Sequence, residues 1–210
     1  MNSPQSVPAA RTSTLAADIL GAARQIDGAS LAAIADGKSV DTSMGLTPTG
    51  GIPMGSRTGD LDPGVALFLM RVHKLDADGL ETLLNQKAGL KALGGTNDMR
   101  VLQKASEEGD HNASLAIEIF CRSIAKTIAS YAAVLGGFDL LIFAGGIGEH
   151  SSPVRANVCG RLNFLGIALD AERNSSSSPV ISTDDSRIAV RVIVTEEEKQ
   201  IARHCRELLQ

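Results

Sequence analysis

The sequence predicts an α/β domain in which a sheet is covered by helices. Three observations support this prediction. Apolar strand-like runs alternate with helical patterns in the second half of the chain, glycine is frequent at 21 of 210 residues, and 43% of the residues are hydrophobic. A chain of this length buries roughly 70% of the surface that its unfolded form exposes, which is enough for a substantial core.

The predicted domain covers residues 27–210, and residues 1–26 are expected to pack poorly against it. This first segment is rich in Ala, Ser, Thr and Pro. Its one helical pattern is TLAADILGAARQ, where Leu15, Ile19 and Leu20 form only a narrow apolar face. Periodic apolar segments begin after it.

A β-hairpin is predicted next, with strands at 29–34 and 38–43 around an Asp36-Gly37 turn. Residues 41–62 follow and contain five glycines and two prolines without any sustained period. An irregular stretch of this length is more often a functional loop than a simple connector.

The remaining elements follow from apolar periodicity and from glycine and proline signals. Helices are predicted at residues 63–72, 78–86, 111–135, 153–162 and 196–209, strands at 140–144 and 188–195, and loops at 89–100 and 175–178.

Charge and composition exclude several classes of function. The chain carries 20 Lys and Arg against 24 Asp and Glu, a net charge of −4, whereas proteins that bind nucleic acids or membrane surfaces normally have a basic excess. No run approaches the ~18 apolar residues that cross a bilayer, and the first residues do not resemble a signal peptide. Three widely spaced cysteines fit a reduced, cytoplasmic protein.

The strongest local signal is FAGGIGEH at residues 143–150. A buried strand ends in three glycines, and a helix is expected to begin near Ser151. Glycines let the backbone approach a ligand, and a helix N-terminus favours anions. The bare pattern is neither GxGxxG nor a P-loop, so a tight structural turn is the alternative interpretation.

Three further polar segments are candidates. Arg57 lies between Gly55 and Gly59, where a guanidinium can bind phosphate and neutralise charge on a transferred phosphoryl group; a solvated loop arginine is the alternative. The loop TNDMR at 96–100 is polar, although Asn97 or Asp98 can equally cap a helix. The glutamates at 196–198 suit the first turn of a helix, and one carboxylate there can hold Mg²⁺ through water.

Taken together, the motifs DTSMG, MGSRTGD and GGIGE resemble the C-terminal half of the acetate/propionate/butyrate kinase (acetokinase) family, in the same order and at similar spacing. The resemblance runs from about residue 27 to the C-terminus. It implies the ribonuclease H-like fold of the actin-like ATPase superfamily. It also implies a Mg²⁺-dependent phosphotransferase that converts ATP and acetate into ADP and acetyl phosphate.

The resemblance also implies roles for individual residues. Arg57 matches the arginine that stabilises the transition state of phosphoryl transfer, and Glu197 matches a carboxylate that helps to bind Mg²⁺. The residues matched to nucleotide-binding positions are Gly28, Asp98, Met99, Arg100, Gly146, Ile147, Gly148, Glu149 and His150.

Departures from the family pattern limit the expected activity. The stretch aligned with the phosphate loop reads RQIDG at 24–28 and keeps only its last glycine, while Asp27 places a carboxylate near the phosphates. His150 replaces an asparagine. The family's N-terminal domain has no counterpart here, so we expect a truncated kinase that is weakly active or inactive alone. The alternatives are a non-catalytic nucleotide-binding remnant and one half of a split kinase.

The expected partners follow from the same resemblance. They are acetate or another short-chain carboxylate, and either a second copy of the chain or a separately encoded N-terminal half.

Overall fold

A computed structural model of the chain describes residues 28–195 and 205–206, and the backbone of residues 13–18. Five strands form one mixed sheet in the order β3-β2-β1-β4-β5. The strands are β1 (Ser13–Asp18), β2 (Ala32–Ala35), β3 (Lys38–Thr42), β4 (Leu140–Ala144) and β5 (Ala189–Val192). Pairing is antiparallel from β3 to β1 and parallel from β1 to β5.

Eight α-helices lie in the described part of the chain. They are α1 (Pro63–His73), α2 (Ala77–Gln86), α3 (Gly89–Gly94), α4 (Met99–Glu107), α5 (His111–Leu135), α6 (Gly145–His150), α7 (Ser152–Gly160) and α8 (Ala171–Ser175). Helices α1, α2, α4, α5 and α8 each begin after an aspartate whose carboxylate accepts a backbone N–H of the first turn. Such caps satisfy amides that have no partner within the helix.

The core forms between the long helix α5 and the sheet. Phe120, Ile124 and Ile128 recur every four residues on one face of α5 and are fully buried. They belong to one apolar cluster with Leu141 and Phe143 of β4. This spacing gives α5 the apolar stripe that its sequence predicts.

The parallel strands fix where a ligand can bind. Leu15 of β1 lies opposite Leu141 of β4, which in turn lies opposite Val190 of β5. The carboxyl ends of all three strands therefore share one edge of the sheet. Ligands of open α/β sheets bind at this edge.

Most predicted elements are confirmed. The hairpin forms with Asp36 and Gly37 both in the left-handed region, at φ 52° and 74°. Residues 43–62 contain neither helix nor strand. The helices predicted at 63–72, 78–86, 111–135 and 153–162 and the strand at 140–144 are present, with end residues shifted slightly. The strand predicted at 188–195 forms only over Ala189–Val192.

Three local predictions are wrong. Ser13–Asp18 is a strand and not part of a helix, because its backbone pairs with β2 on one side and β4 on the other. The loop predicted at 89–100 contains α3, which buried Leu90 anchors in the core, and the start of α4. The turn at 145–150 is a short helix, α6.

Two other predictions concern the ends of the chain. The helix expected at 196–209 lies outside the described residues, apart from Cys205 and Arg206, which are helical. The side-chain packing of residues 1–26 also lies outside them, so the domain boundary at residue 27 stays a prediction.

Helix α1 presents an apolar surface to solvent. It has no buried residue, and Val65, Leu67, Phe68 and Val72 are each at least 39% exposed. Among the helices described, none combines the length and apolarity that crossing a membrane requires.

The cysteines should differ sharply in reactivity. Cys121 and Cys159 are buried, and burial raises the pKa of each thiol to about 12. Because the thiolate is the reactive form, neither should react with Ellman's reagent at pH 8 in the native state. We expect one fast thiol, the exposed Cys205, which the Cys205→Ser variant should abolish. All three should react in denaturant; two fast thiols in the native chain would contradict the burial described here.

Candidate functional site

The first part of the site is the segment 145–150 after β4, at the carboxyl edge of the sheet. The short helix α6 turns the chain out of the sheet here, and the segment is called the glycine turn below. Gly145 has a φ of 70°, which lets the chain leave the strand and enter α6 at once. Gly148 is buried, whereas Gly146 and Ile147 are half-buried and His150 is exposed. Gly146, Ile147 and His150 therefore keep some solvent-accessible surface, although Ile147 also packs against the core.

Glu149 holds this turn in place from inside. Its Oε1 atom accepts the backbone N–H of Gly145 at 2.9 Å, and both the N–H and the hydroxyl of Thr195 at 3.0 Å. Thr195 follows β5, so one carboxylate oxygen ties the loops of two neighbouring strands together. Glu149, which the resemblance matches to a nucleotide-binding position, has its carboxylate engaged in supporting the turn.

Arg155 supports the same turn and was not identified from the sequence. Its side chain is fully buried and donates hydrogen bonds to the carbonyls of Gly148 and Glu149 at 2.8 and 2.9 Å. It also donates to the Asn174 side chain and carbonyl and to Ser177 Oγ. All five acceptors are neutral. Burial lowers the pKa of this guanidinium from its ordinary value.

A sequence signal for Arg155 does exist. Residues four positions apart lie on the same face of a helix. Two such pairs, Val154 with Val158 and Arg155 with Cys159, are adjacent and share the inner face of α7. The structure buries all four. A charged residue on an apolar helix face indicates a buried polar network.

The second part of the site is the loop that carries Arg57. The first amides of α3 hold this loop: the N–H groups of Leu90 and Lys91 donate to the carbonyls of Met54 and Gly55, each at 2.9 Å. Arg57 is half-buried, and its guanidinium donates to the carbonyl of Pro48 at 3.3 Å. A long irregular loop is thus fixed at the residue expected to act in phosphoryl transfer.

The third part is the start of α4. Asp98 caps the helix by accepting the N–H of Arg100 at 2.9 Å, and its carboxylate forms an ion pair with the Arg100 guanidinium at 2.6 Å. Hydrogen bonding from the Arg100 side chain lowers the pKa of Asp98. The Met99 side chain is buried in the core, so any nucleotide contact of Met99 is through its backbone.

The predicted site residues are only partly brought together. The Asp98–Arg100 segment is defined as residues 98–100. Gln103, three residues after this segment, donates a hydrogen bond to Ser151, the residue that follows the turn at 145–150. Within residues 28–195, Arg57 makes no hydrogen bond to the other predicted site residues. Gly28 is half-buried beside the start of the described segment, and Glu197 lies outside the described residues.

Comparison with known proteins identifies the family. The sequence profile of the Acetokinase family matches residues 21–203. This chain belongs to the acetokinase family. An acetate kinase from Syntrophobacter fumaroxidans is 48% identical over 180 residues, and one from Streptomyces avermitilis is 47% identical over 179. Each match covers 84% of this chain but 44% of the relative, so the chain spans less than half the length of these relatives.

Solved structures of the family show the same fold. Porphyromonas gingivalis acetate kinase superposes with a TM-score of 0.87 at 38% identity, over 96% of this chain and 50% of that protein. A propionate kinase from Francisella tularensis gives 0.85 at 38% identity, over 91% and 48%. The α/β fold predicted from the acetokinase resemblance is therefore confirmed.

The contact between α3 and the Arg57 loop can be tested at Gly89. Gly89 has a φ of 60°, and a Cβ there would lie 2.1 Å from Met54 O and 2.6 Å from Arg57 O. Gly89→Ala must displace the Arg57 loop and should lower the free energy of unfolding by about 3 kcal/mol or more, through clash and backbone strain together.

Gly95→Ala is the matched control for Gly89→Ala. Gly95 also has a positive φ, 81°, but nothing lies within 4 Å of its Cβ position, so only the left-handed strain of about 1–2 kcal/mol applies. Urea unfolding measures both variants. Equal losses would show that Gly89 does not hold the loop.

The Arg155 network predicts that a positive charge alone at this position does not maintain the stability of the fold. Arg155→Lys keeps the charge, but one ammonium cannot reach five acceptors, so stability should fall by about 2–4 kcal/mol in urea unfolding. Arg161→Lys is the control, because Arg161 is partly exposed and pairs with Glu118 at the surface; its loss should stay below about 1 kcal/mol. A comparable effect of both substitutions would contradict the network.

Proposed function

We propose that this chain carries the nucleotide-binding half of an acetate kinase-type phosphotransferase, which transfers a phosphoryl group between ATP and acetate. The observation that supports this most directly is the turn after β4. Its outer face is glycine-rich backbone at the carboxyl edge of parallel strands, and buried Glu149 and Arg155 hold it from inside. Such an edge is where nucleotides bind in related architectures.

The proposed roles divide among three segments. Gly146, Ile147 and His150 contact the adenosine, and Asp98 and Arg100 lie beside the nucleotide. Arg57 neutralises charge that develops on the transferred phosphoryl group, because a guanidinium binds phosphate oxygens bidentately. A fixed loop suits this role, since a donor that is already placed requires little reorganisation when the transition state forms.

Magnesium is also part of the proposal, with Glu197 as a ligand. Across residues 28–195, no cluster of three or more His, Cys, Asp or Glu side chains is arranged to hold a metal ion. This fits Mg²⁺ in a kinase, which is usually held by one or two carboxylates together with substrate phosphates. The ion neutralises phosphate charge when it is bound.

A second candidate function is nucleotide binding without turnover. It is supported by the length of the match, because the chain spans less than half of its acetate kinase relatives. Phosphoryl transfer needs several groups placed together around the phosphate. If the chain is instead one half of a split kinase, its partner is a separately encoded N-terminal half or a second copy, and the exposed apolar residues of α1 offer a surface for such contacts.

Nucleotide binding and acetate-dependent ADP formation separate these functions. We expect calorimetry to show that the chain binds ADP with Mg²⁺, and a coupled assay to show only traces of turnover by the chain alone. Addition of the purified N-terminal half of an acetate kinase relative should raise turnover if the chain contributes half of an active site. Failure to bind ADP would contradict both functions.

Arg57→Ala tests the catalytic role. Wherever turnover is measurable, kcat should fall by about 10²–10³-fold, as it does on removal of a single group that stabilises transition-state charge. The Kd for ADP should change less than twofold, because the arginine acts mainly on the transition state. Arg71→Ala, at an exposed arginine in the last turn of α1, should change neither value. Unchanged kcat in Arg57→Ala would exclude the proposed role.

A further inference from the structure

A side-chain hydrogen bond joins α4 to the junction between α6 and α7. Gln103 Nε2 donates to Ser151 Oγ at 2.6 Å. Ser151 is 6% exposed and Gln103 is half-buried. Water therefore competes weakly for these two groups, and the hydrogen bond between the two elements is stronger than it would be in solvent.

Gln103, the donor of this bond, lies in α4, the helix that begins in the Asp98–Arg100 segment. Gln103 lies five residues after Asp98, which is about 7.5 Å along the helix axis at a rise of about 1.5 Å per residue. Met99 and Leu102 of the same helix are buried in the core. They anchor α4 in the core, and the neighbouring Gln103 side chain lies within hydrogen-bond distance of Ser151.

Ser151, the acceptor of this bond, is the residue directly after the glycine turn. The backbone N–H of Ser151 donates to the carbonyl of Ile147 at 2.9 Å, and Ser151 Oγ also accepts the N–H of Val154 at the start of α7. Ser151 is thus bonded to the turn through its backbone and to α4 through its side chain.

We infer that Gln103 is a positioning residue, whose hydrogen bond to Ser151 sets the separation between the Asp98–Arg100 segment and the Gly146–His150 turn. This inference rests on the proposed nucleotide site. A nucleotide that contacts both segments requires one spacing between them, and a spacing already fixed in the free protein lowers the entropy cost of binding. Helices α4 and α7 both pack against α5, so the fold does not depend on this bond.

The test combines Gln103→Leu, Ser151→Ala and the double variant, each titrated with ADP and Mg²⁺ by calorimetry. Gln103→Leu keeps most of the side-chain volume and removes the donor. Each single variant should weaken ADP binding about 3- to 10-fold, the size of the ordering cost that a spacing fixed before binding removes. The double variant should bind no more weakly than the weaker single variant, because both substitutions remove the same interaction.

Two further variants separate positioning from a general loss of structure. Lys104→Leu makes the same apolar change at the neighbouring position, whose side chain is 77% exposed, and should leave ADP binding unchanged. Gln103→Lys supplies a new donor to Ser151 Oγ and should recover part of the affinity. The urea midpoint of Gln103→Leu should stay near that of the unchanged chain.

The possible outcomes decide between the two proposals. If the unchanged chain binds ADP and Gln103→Leu binds it equally well, the positioning role is overturned and the proposed function stands. Additive effects in the double variant also overturn the positioning role. If the unchanged chain does not bind ADP, the proposed function falls, and the positioning role falls with it.

Discussion

One carboxylate oxygen, Oε1 of Glu149, connects the sheet to the turn on which the proposed site depends. It accepts the amide of Gly145, directly after β4, and two donors of Thr195, three residues after the end of β5. A charged acceptor with three donors is strong where water is excluded. The segments that follow two parallel strands and the start of α6 are therefore bonded to one side chain. Arg155 completes this arrangement by fixing the carbonyls at the other end of α6.

The Arg57 loop is also held by hydrogen bonds from a neighbouring element, here through backbone amides instead of a carboxylate. Residues 43–62 have no helix or strand of their own, and the amides at the start of α3 provide the missing partners for the loop carbonyls. Gly89 makes this close approach possible because any side chain there would overlap the carbonyl of Met54. In the Arg57 loop, an irregular backbone is held by a regular element behind it, and in the turn after β4 the short helix α6 is held by buried side chains.

The elements with strong local signals could be predicted from the sequence. The hairpin turn, α5 and β4 depend on residues close together in the chain, and the three motifs were sufficient to indicate the acetokinase family. Strand β1 could not be predicted, because its pairing with β4 overrides a weak helical pattern. The contacts of Arg155 with Asn174, and of Gln103 with Ser151, join distant residues. Glu149 was identified as a site residue, but its role inside the turn needed the position of Thr195.

The strand order has a consequence for how the protein folds. Hairpin β2–β3 is local and can form within microseconds, whereas pairing β1 with β4 brings together residues more than 120 positions apart, Leu15 and Leu141. Closing so large a loop is entropically costly, and parallel pairing of this kind is slow. The glycine turn belongs to this late-forming half. The proposed nucleotide surface would therefore be complete only late in folding, and a ligand that binds only the folded chain would draw the population toward the folded state by mass action.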